Sequence, residues 1–210
     1  HQALFSRFRK FNIHLHAVSP SQTVTSRHST TNTISYLRLP NEAQAVERLI
    51  GLKNERKLDI KHHPVIELRL NPEWLALELV LTPEAWYDQR NWLGKMSVPR
   101  YRDEFHTLLA ALSPHIRIGA WQGDTPTDRY LTSTELRFPR IFEAWAGTYS
   151  DGRDWLRFGV WYQTPQVTPD VVHSLFDHAQ AIYRIHQYIA WTGRNDFYSL
   201  FRAKEDRDIR

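Results

Sequence analysis

Two short apolar runs separated by a turn leave the middle of this chain little conformational choice. Residues 65–70 (VIELRL) and 74–81 (WLALELVL) have strand length and composition, and Asn71-Pro72-Glu73 between them carries turn chemistry. The second run puts Trp74, Ala76, Glu78 and Val80 on one face and Leu75, Leu77, Leu79 and Leu81 on the other. A hairpin with an all-leucine face needs helices to cover it. Thr82-Pro83-Glu84 is expected to start one, with Thr as N-cap, Pro at the first helical position and an acid in the first turn. Another is expected after Pro99, where Tyr101, Phe105, Leu108, Leu109 and Leu112 recur at helical spacing before Ser113-Pro114.

The same grammar returns later. Residues 141–149 read as a strand, 150–154 as a turn and 155–163 as a strand opening again with Trp-Leu, after which Thr168-Pro169-Asp170 opens a last helix running to Trp191. WLALELVLTPE beside WLRFGVWYQTP predicts a duplicated hairpin-plus-helix unit, with halves at about 12–114 and 115–193 joined through the turn-rich loop 119–140. The plain alternative is that any two hairpins followed by a capped helix look alike. In the last helix His173, Asp177, Gln180, Arg184 and Gln187 form a narrow polar stripe on an otherwise apolar cylinder, which predicts burial on two sides. Gly193 is placed to end it, and 203–210 reads as a charged, mobile tail.

At the front, Leu4, Phe5, Phe8 and Phe11 have the spacing of a short basic amphipathic helix. Residues 12–18 (NIHLHAV) alternate, placing Ile13, Leu15 and Ala17 opposite His14 and His16. A Ser/Thr-rich loop over 19–32 leads to a strand over 33–39, stopped by Pro40. Asn41 is expected to cap a helix, with Gln44 completing a capping box and Val46, Leu49 and Ile50 as its apolar stripe, before a charged connection over 53–63. The sum is one α+β domain over 1–210, a curved antiparallel sheet covered by helices. At 210 residues, 41% hydrophobic and 24% charged, the chain is long and apolar enough to bury a core. It has no cysteine, which excludes disulfides, thiolate metal sites and cysteine nucleophiles. The longest apolar run is too short to span a bilayer and HQALFSRFRKF has no signal-peptide pattern, so a soluble, cytoplasmic protein is expected.

His63-Pro64-Val65 through Trp74-Leu75-Ala76-Leu77-Glu78-Leu79-Val80-Leu81-Thr82-Pro83 is similar to the central hairpin-then-helix of the bacterial YktB-like proteins of unknown function. The preceding His-containing strand and Ser/Thr/Arg-rich loop are similar as well. The resemblance covers about a third of the chain through motifs of low specificity. It implies an α+β fold with a curved antiparallel sheet, and it supplies no functional residues.

Charge is the leading functional signal. The net charge is +4, but residues 1–61 hold ten Lys and Arg against four acids, and no acid precedes Glu42. Arg7, Arg9, Lys10, Arg27 and Arg38, with His28, therefore read as a surface for a polyanion: nucleic acid, a phosphorylated ligand or an acidic partner. A solvated basic face in a chain with 21 Arg to 6 Lys is the plain alternative. Trp74, Trp155, Trp161 and Tyr162 cluster around the hairpins and could line a groove that stacks bases or docks a protein; as core residues they would need no ligand. His14 and His16 share a strand face, and with His28 could hold a metal ion for hydrolysis. The further His and Asp motifs of metallohydrolases are missing, and neither GxxxxGK[ST] nor GxSxG occurs. No metal, cofactor or catalytic residue is expected on this reading. The leading expectation is a non-catalytic binding domain for nucleic acid or another polyanion, within a larger assembly. A metal-dependent hydrolase and a protein-interaction subunit with an aromatic docking surface are the alternatives.

Overall fold

The hairpin at 65–81 is the centre of the fold. In the computed structural model, which describes residues 2–18, 24–25, 31–52, 58–119 and 130–208, strands β3 (Val65–Leu70) and β4 (Trp74–Leu81) pair antiparallel with Leu68 opposite Leu77. The Asn71 side-chain oxygen closes the turn by accepting the Glu73 and Trp74 amides at 2.9 and 2.7 Å. Beyond β3 lie β2 (Asn32–Leu37) and β1 (His16–Val18). Beyond β4 lie β6 (Leu156–Gln163) and β5 (Arg117–Gly119), giving an open antiparallel sheet of order β1-β2-β3-β4-β6-β5. Among the described residues eight α-helices complete the α+β architecture.

Period-two alternation sends the two faces to different fates. Tyr36, Ile66, Leu77, Leu79, Phe158 and Val160 bury one face in the main core against the helices. The longest, α7 (Val171–Ile189), buries Leu175, Phe176, Ala179, Ile182, Ile185 and Ile189, as its nearly all-round apolar pattern demands. The first, α1 (Gln2–Lys10), seats Phe8 against Tyr36 and Phe176. The other face carries Ser35, Glu67, Glu78 and Gly159 in one cross-strand row, with Arg69 and Arg157 alongside. A small apolar cluster of Val24, Leu37, Ala43, Ile60, Val65 and Val80 closes one end of that face. Among the described residues no helix is long and apolar enough to cross a membrane.

Several boundaries differ from expectation, each for a local reason. Only 16–18 of the 12–18 stretch joins the sheet, because Asn12 turns the chain with φ 56 after α1; Ile13 and Leu15 are nonetheless buried. Pro40 begins a helix instead of merely ending a strand: α2 (Pro40–Leu49) has Leu39 at its N-cap and no side-chain cap, so the Asn41/Gln44 box does not form. Thr82 does not cap either. Its hydroxyl donates to the Lys61 carbonyl at 2.7 Å, and a single 3₁₀ turn precedes α3 (Trp86–Met96), which α4 (Pro99–Ala110) follows as expected.

The largest correction falls on 119–149. Residues 141–149 are not a strand: α5 (Ser133–Leu136) and α6 (Pro139–Thr148) occupy this region. Thr132 and Glu135 form a capping box, and Pro139 sits where a helix's first turn tolerates it. Phe142 and Trp145 then share the inward face of α6 against Phe105, Trp92 and Phe158. Strand β6 accordingly pairs with β4 and β5, and the chain path of 65–96 is not repeated over 141–191; the two stretches share only a strand followed by a helix. At the C-terminus, α8 (Tyr198–Asp208) takes up most of the expected tail and packs on α3. A Cβ on Gly94 would lie 2.1 Å from the Phe197 carbonyl oxygen, so only glycine permits this approach.

Candidate functional site

Where β2 ends and β3 begins, Arg38 turns inward and meets α3 and the end of α7. Its Nη2 donates to Asp88 Oδ1 at 2.6 Å and its Nη1 to the Trp191 carbonyl at 2.9 Å, while the Trp191 amide donates to the same Asp88 oxygen at 2.6 Å. Arg38 is 3% exposed and Asp88 fully buried, so this ion pair is paid for in desolvation and fixes three elements to one another. Beside it opens a cavity of about 480 Å³. Arg38, Glu42, Tyr183, His186, Gln187 and Trp191 line it, and exposed His14 stands at its edge, its backbone amide donating to Tyr183 Oη at 3.2 Å. The Tyr183 ring stacks on His186 at 5.8 Å and 17°.

Buried polar atoms without a hydrogen-bond partner concentrate here. They are Arg38 Nε, Asp88 Oδ2, Trp191 Nε1 and both ring nitrogens of His186 and His63. Of these residues Arg38, Trp191 and His186 line the cavity, whereas His63 and Asp88 do not. Both imidazoles are held neutral. Burial and the Arg38 charge push His186 down to about 3 against the Pro64 carbonyl, and burial, Arg38, His62 and His186 push His63 down to about 2. Burial raises the Asp88 carboxyl, with Arg38 and the Trp191 amide pulling the other way. The result is a cavity lined by a fixed guanidinium, the neutral His186 imidazole and an aromatic wall, with His63 outside the lining.

The residues expected from sequence do not converge on one surface. Arg38 belongs to the cavity and, being buried, cannot be part of an exposed basic face. Arg27 and His28 lie outside the described residues. Arg7, Arg9 and Lys10 sit in the last turn of α1, Arg7 against His173, Arg9 over Phe5 and Lys10 over Phe11. His14 and His16 separate, one at the cavity edge and the other on β1, and among the described residues no group of three His, Asp or Glu is placed to hold a metal ion.

The four aromatics do not form one groove. Trp74 and Trp161 share the polar sheet face, under Arg69 and Arg117 at 5.1 and 5.5 Å, whereas Tyr162, next along β6, points to the opposite face and bonds His178 Nδ1 at 2.8 Å. Trp155 packs on the small apolar cluster. Sequence reasoning missed Asp88 and His186 as site residues. The one signal for His186 was a histidine on the buried side of α7, between Ile182, Ile185 and Ile189. No protein-family model matches this chain and no curated protein matches it, so the chemistry of the Arg38 cavity carries the functional conclusion.

Proposed function

We propose that this chain is a binding protein for a small anionic ligand, phosphorylated or carboxylate-bearing, that enters the cavity beside Arg38. The carrying observation is the cavity itself, lined by Arg38 and Trp191, with the Arg38 guanidinium held in place by Asp88. An anion is all acceptor, and a guanidinium and an indole are pure donors, so the lining chemistry suits it. Burial first, and the Arg38 charge after it, keep both neighbouring imidazoles neutral, and that charge is the one an anion would meet on entry. This narrows the polyanion expectation to its small-ligand form; the nucleic-acid form rests on Arg7, Arg9 and Lys10 alone among the described residues.

Calorimetric titration with inorganic phosphate and sulfate tests the reading. Gln187 lines the cavity with its side chain exposed, so Gln187→Glu and Gln187→Lys change the charge at the entrance without touching the buried pair. Gln187→Glu is expected to weaken binding about fivefold and Gln187→Lys to tighten it by a similar factor. Failure of either anion to bind, with salt-dependent retention of an oligonucleotide, would replace this reading by the nucleic-acid one.

A further inference from the structure

The cavity beside Arg38 is lined by charge of both signs. Arg38 brings a guanidinium from the end of β2, and Glu42 brings a carboxylate from the first turn of α2. Among the described residues no basic side chain or hydrogen-bond donor is paired with that carboxylate, and Glu42 is only half-buried, so its oxygens keep accessible surface. An anion entering alone therefore meets an uncompensated like charge, whereas an anion that carries its own cation does not. We propose that the ligand of this cavity is a small zwitterion, whose anionic group lies toward Arg38 and whose ammonium is received by the Glu42 carboxylate beside the rings of Tyr183 and Trp191. This rests on the small-anion reading above and names the class of anion the site selects.

The two poles differ in how they are built. Arg38 is immobile, because Nη2 donates to Asp88 and Nη1 to the Trp191 carbonyl. Asp88 does not line the cavity, so the ion pair presents its positive end there. Glu42 is held by no such partner and is free to meet a cation. Burial raises the Tyr183 phenol, the His14 amide opposes this, and Glu42 raises it further, so the carboxylate lies within electrostatic reach of that ring. Tyr183 and Trp191 are half-buried in the lining, and aromatic faces attract an ammonium as a carboxylate does. Gln187, exposed on α7, adds a side-chain carbonyl that can accept from an N–H. A volume of about 480 Å³ admits both charged groups on one short carbon frame.

Taurine and isethionate are the probes, since they share one sulfonate frame and differ only in an ammonium against a hydroxyl. Calorimetric titration at about pH 7 is expected to give taurine a Kd about tenfold or more below that of isethionate. Glu42→Gln keeps the side chain's shape and removes its charge. It is expected to bring the two probes within about twofold of each other, by weakening taurine and tightening isethionate, and a gain for isethionate is an effect that misfolding cannot produce. Gln187→Lys should shift the preference in the same direction. Isethionate binding as tightly as taurine, or a preference for taurine that survives both substitutions, overturns the inference and leaves the anion reading intact. Ethanolamine, which has the ammonium without the sulfonate, is expected to bind more weakly than taurine. Binding of ethanolamine where taurine, isethionate and sulfate all fail, or no binding by any of the four, overturns the anion reading and the inference with it.

Discussion

Glu78 accepts two hydrogen bonds from Arg157 across the β4–β6 ladder, Nε to Oε1 at 2.6 Å and Nη2 to Oε2 at 2.5 Å, while Arg69 donates to Oε2 from the β3 side. All three side chains are at most 1% exposed. Gly159 makes room for this: a Cβ there would lie 2.8 Å from Glu78 Cγ. Glu78→Gln keeps the shape and removes the charge that two buried guanidiniums share. It is expected to cost about 3–5 kcal/mol of unfolding free energy, measured in urea. A loss below about 1 kcal/mol would mean that these charges are solvated after all.

Gly94→Ala should undock α8. The added methyl meets backbone, the Phe197 carbonyl, which cannot swing aside as a side chain can. Limited proteolysis is expected to remove the C-terminal helix from the variant and spare it in the parent. Gly147→Ala is the matched control, because nothing lies within 4 Å of the new Cβ in the last turn of α6; it should leave α8 docked and stabilise by no more than about 0.5 kcal/mol.

Acid should unfold this protein through His63 and His186. Both are held below their ordinary value in the folded state, so the unfolded chain binds up to two more protons as pH falls from about 6.5 toward 3. The stability they contribute is full above 6.5 and is lost below it, by about tenfold in the folding equilibrium per pH unit for each histidine. The raised Asp88 carboxyl opposes this, since it takes up its proton more readily folded than unfolded. Urea midpoints between about pH 7 and 4 should therefore fall steeply in the parent and less so in His63→Gln; parallel pH curves would contradict the assignment.

The last turn of α1 gives a separate prediction. Replacing Arg7, Arg9 and Lys10 together by Gln should leave sulfate affinity unchanged, because none of them lines the cavity. If an oligonucleotide binds at all, the same variant should flatten its log-affinity against log-salt slope by up to about three units. An unchanged slope removes this face from any nucleic-acid role.

How far the sequence is legible depends on how local the deciding contact is. The 65–81 hairpin can be read because an all-leucine face and an Asn-Pro turn need no distant partner to explain them. Residues 141–149 mislead because Ile141, Phe142, Trp145 and Tyr149 are residue types that strands favour, while Phe142, Trp145 and Ala146 also fit a helix; Pro139 and the Thr132/Glu135 cap are the local facts that favour the helix. Helix α8 escapes notice because its docking depends on a glycine notch and on Lys95, which donates to Asn195 at 3.0 Å over the Tyr188 ring. Arg38 stands out in the sequence by its charge. Its burial does not, since Asp88 lies 50 residues away and Trp191 153.

The seating of α1 on α7 has a consequence for synthesis. Phe8 and Phe11 meet Phe176, and Arg7 meets His173, 166 residues further along the chain. On the ribosome, that first apolar face must wait for its cover while the intervening residues are translated, roughly ten to thirty seconds at ordinary elongation rates. The nascent chain thus carries an unsheltered phenylalanine stripe until α7 has been made, a ready substrate for a holdase.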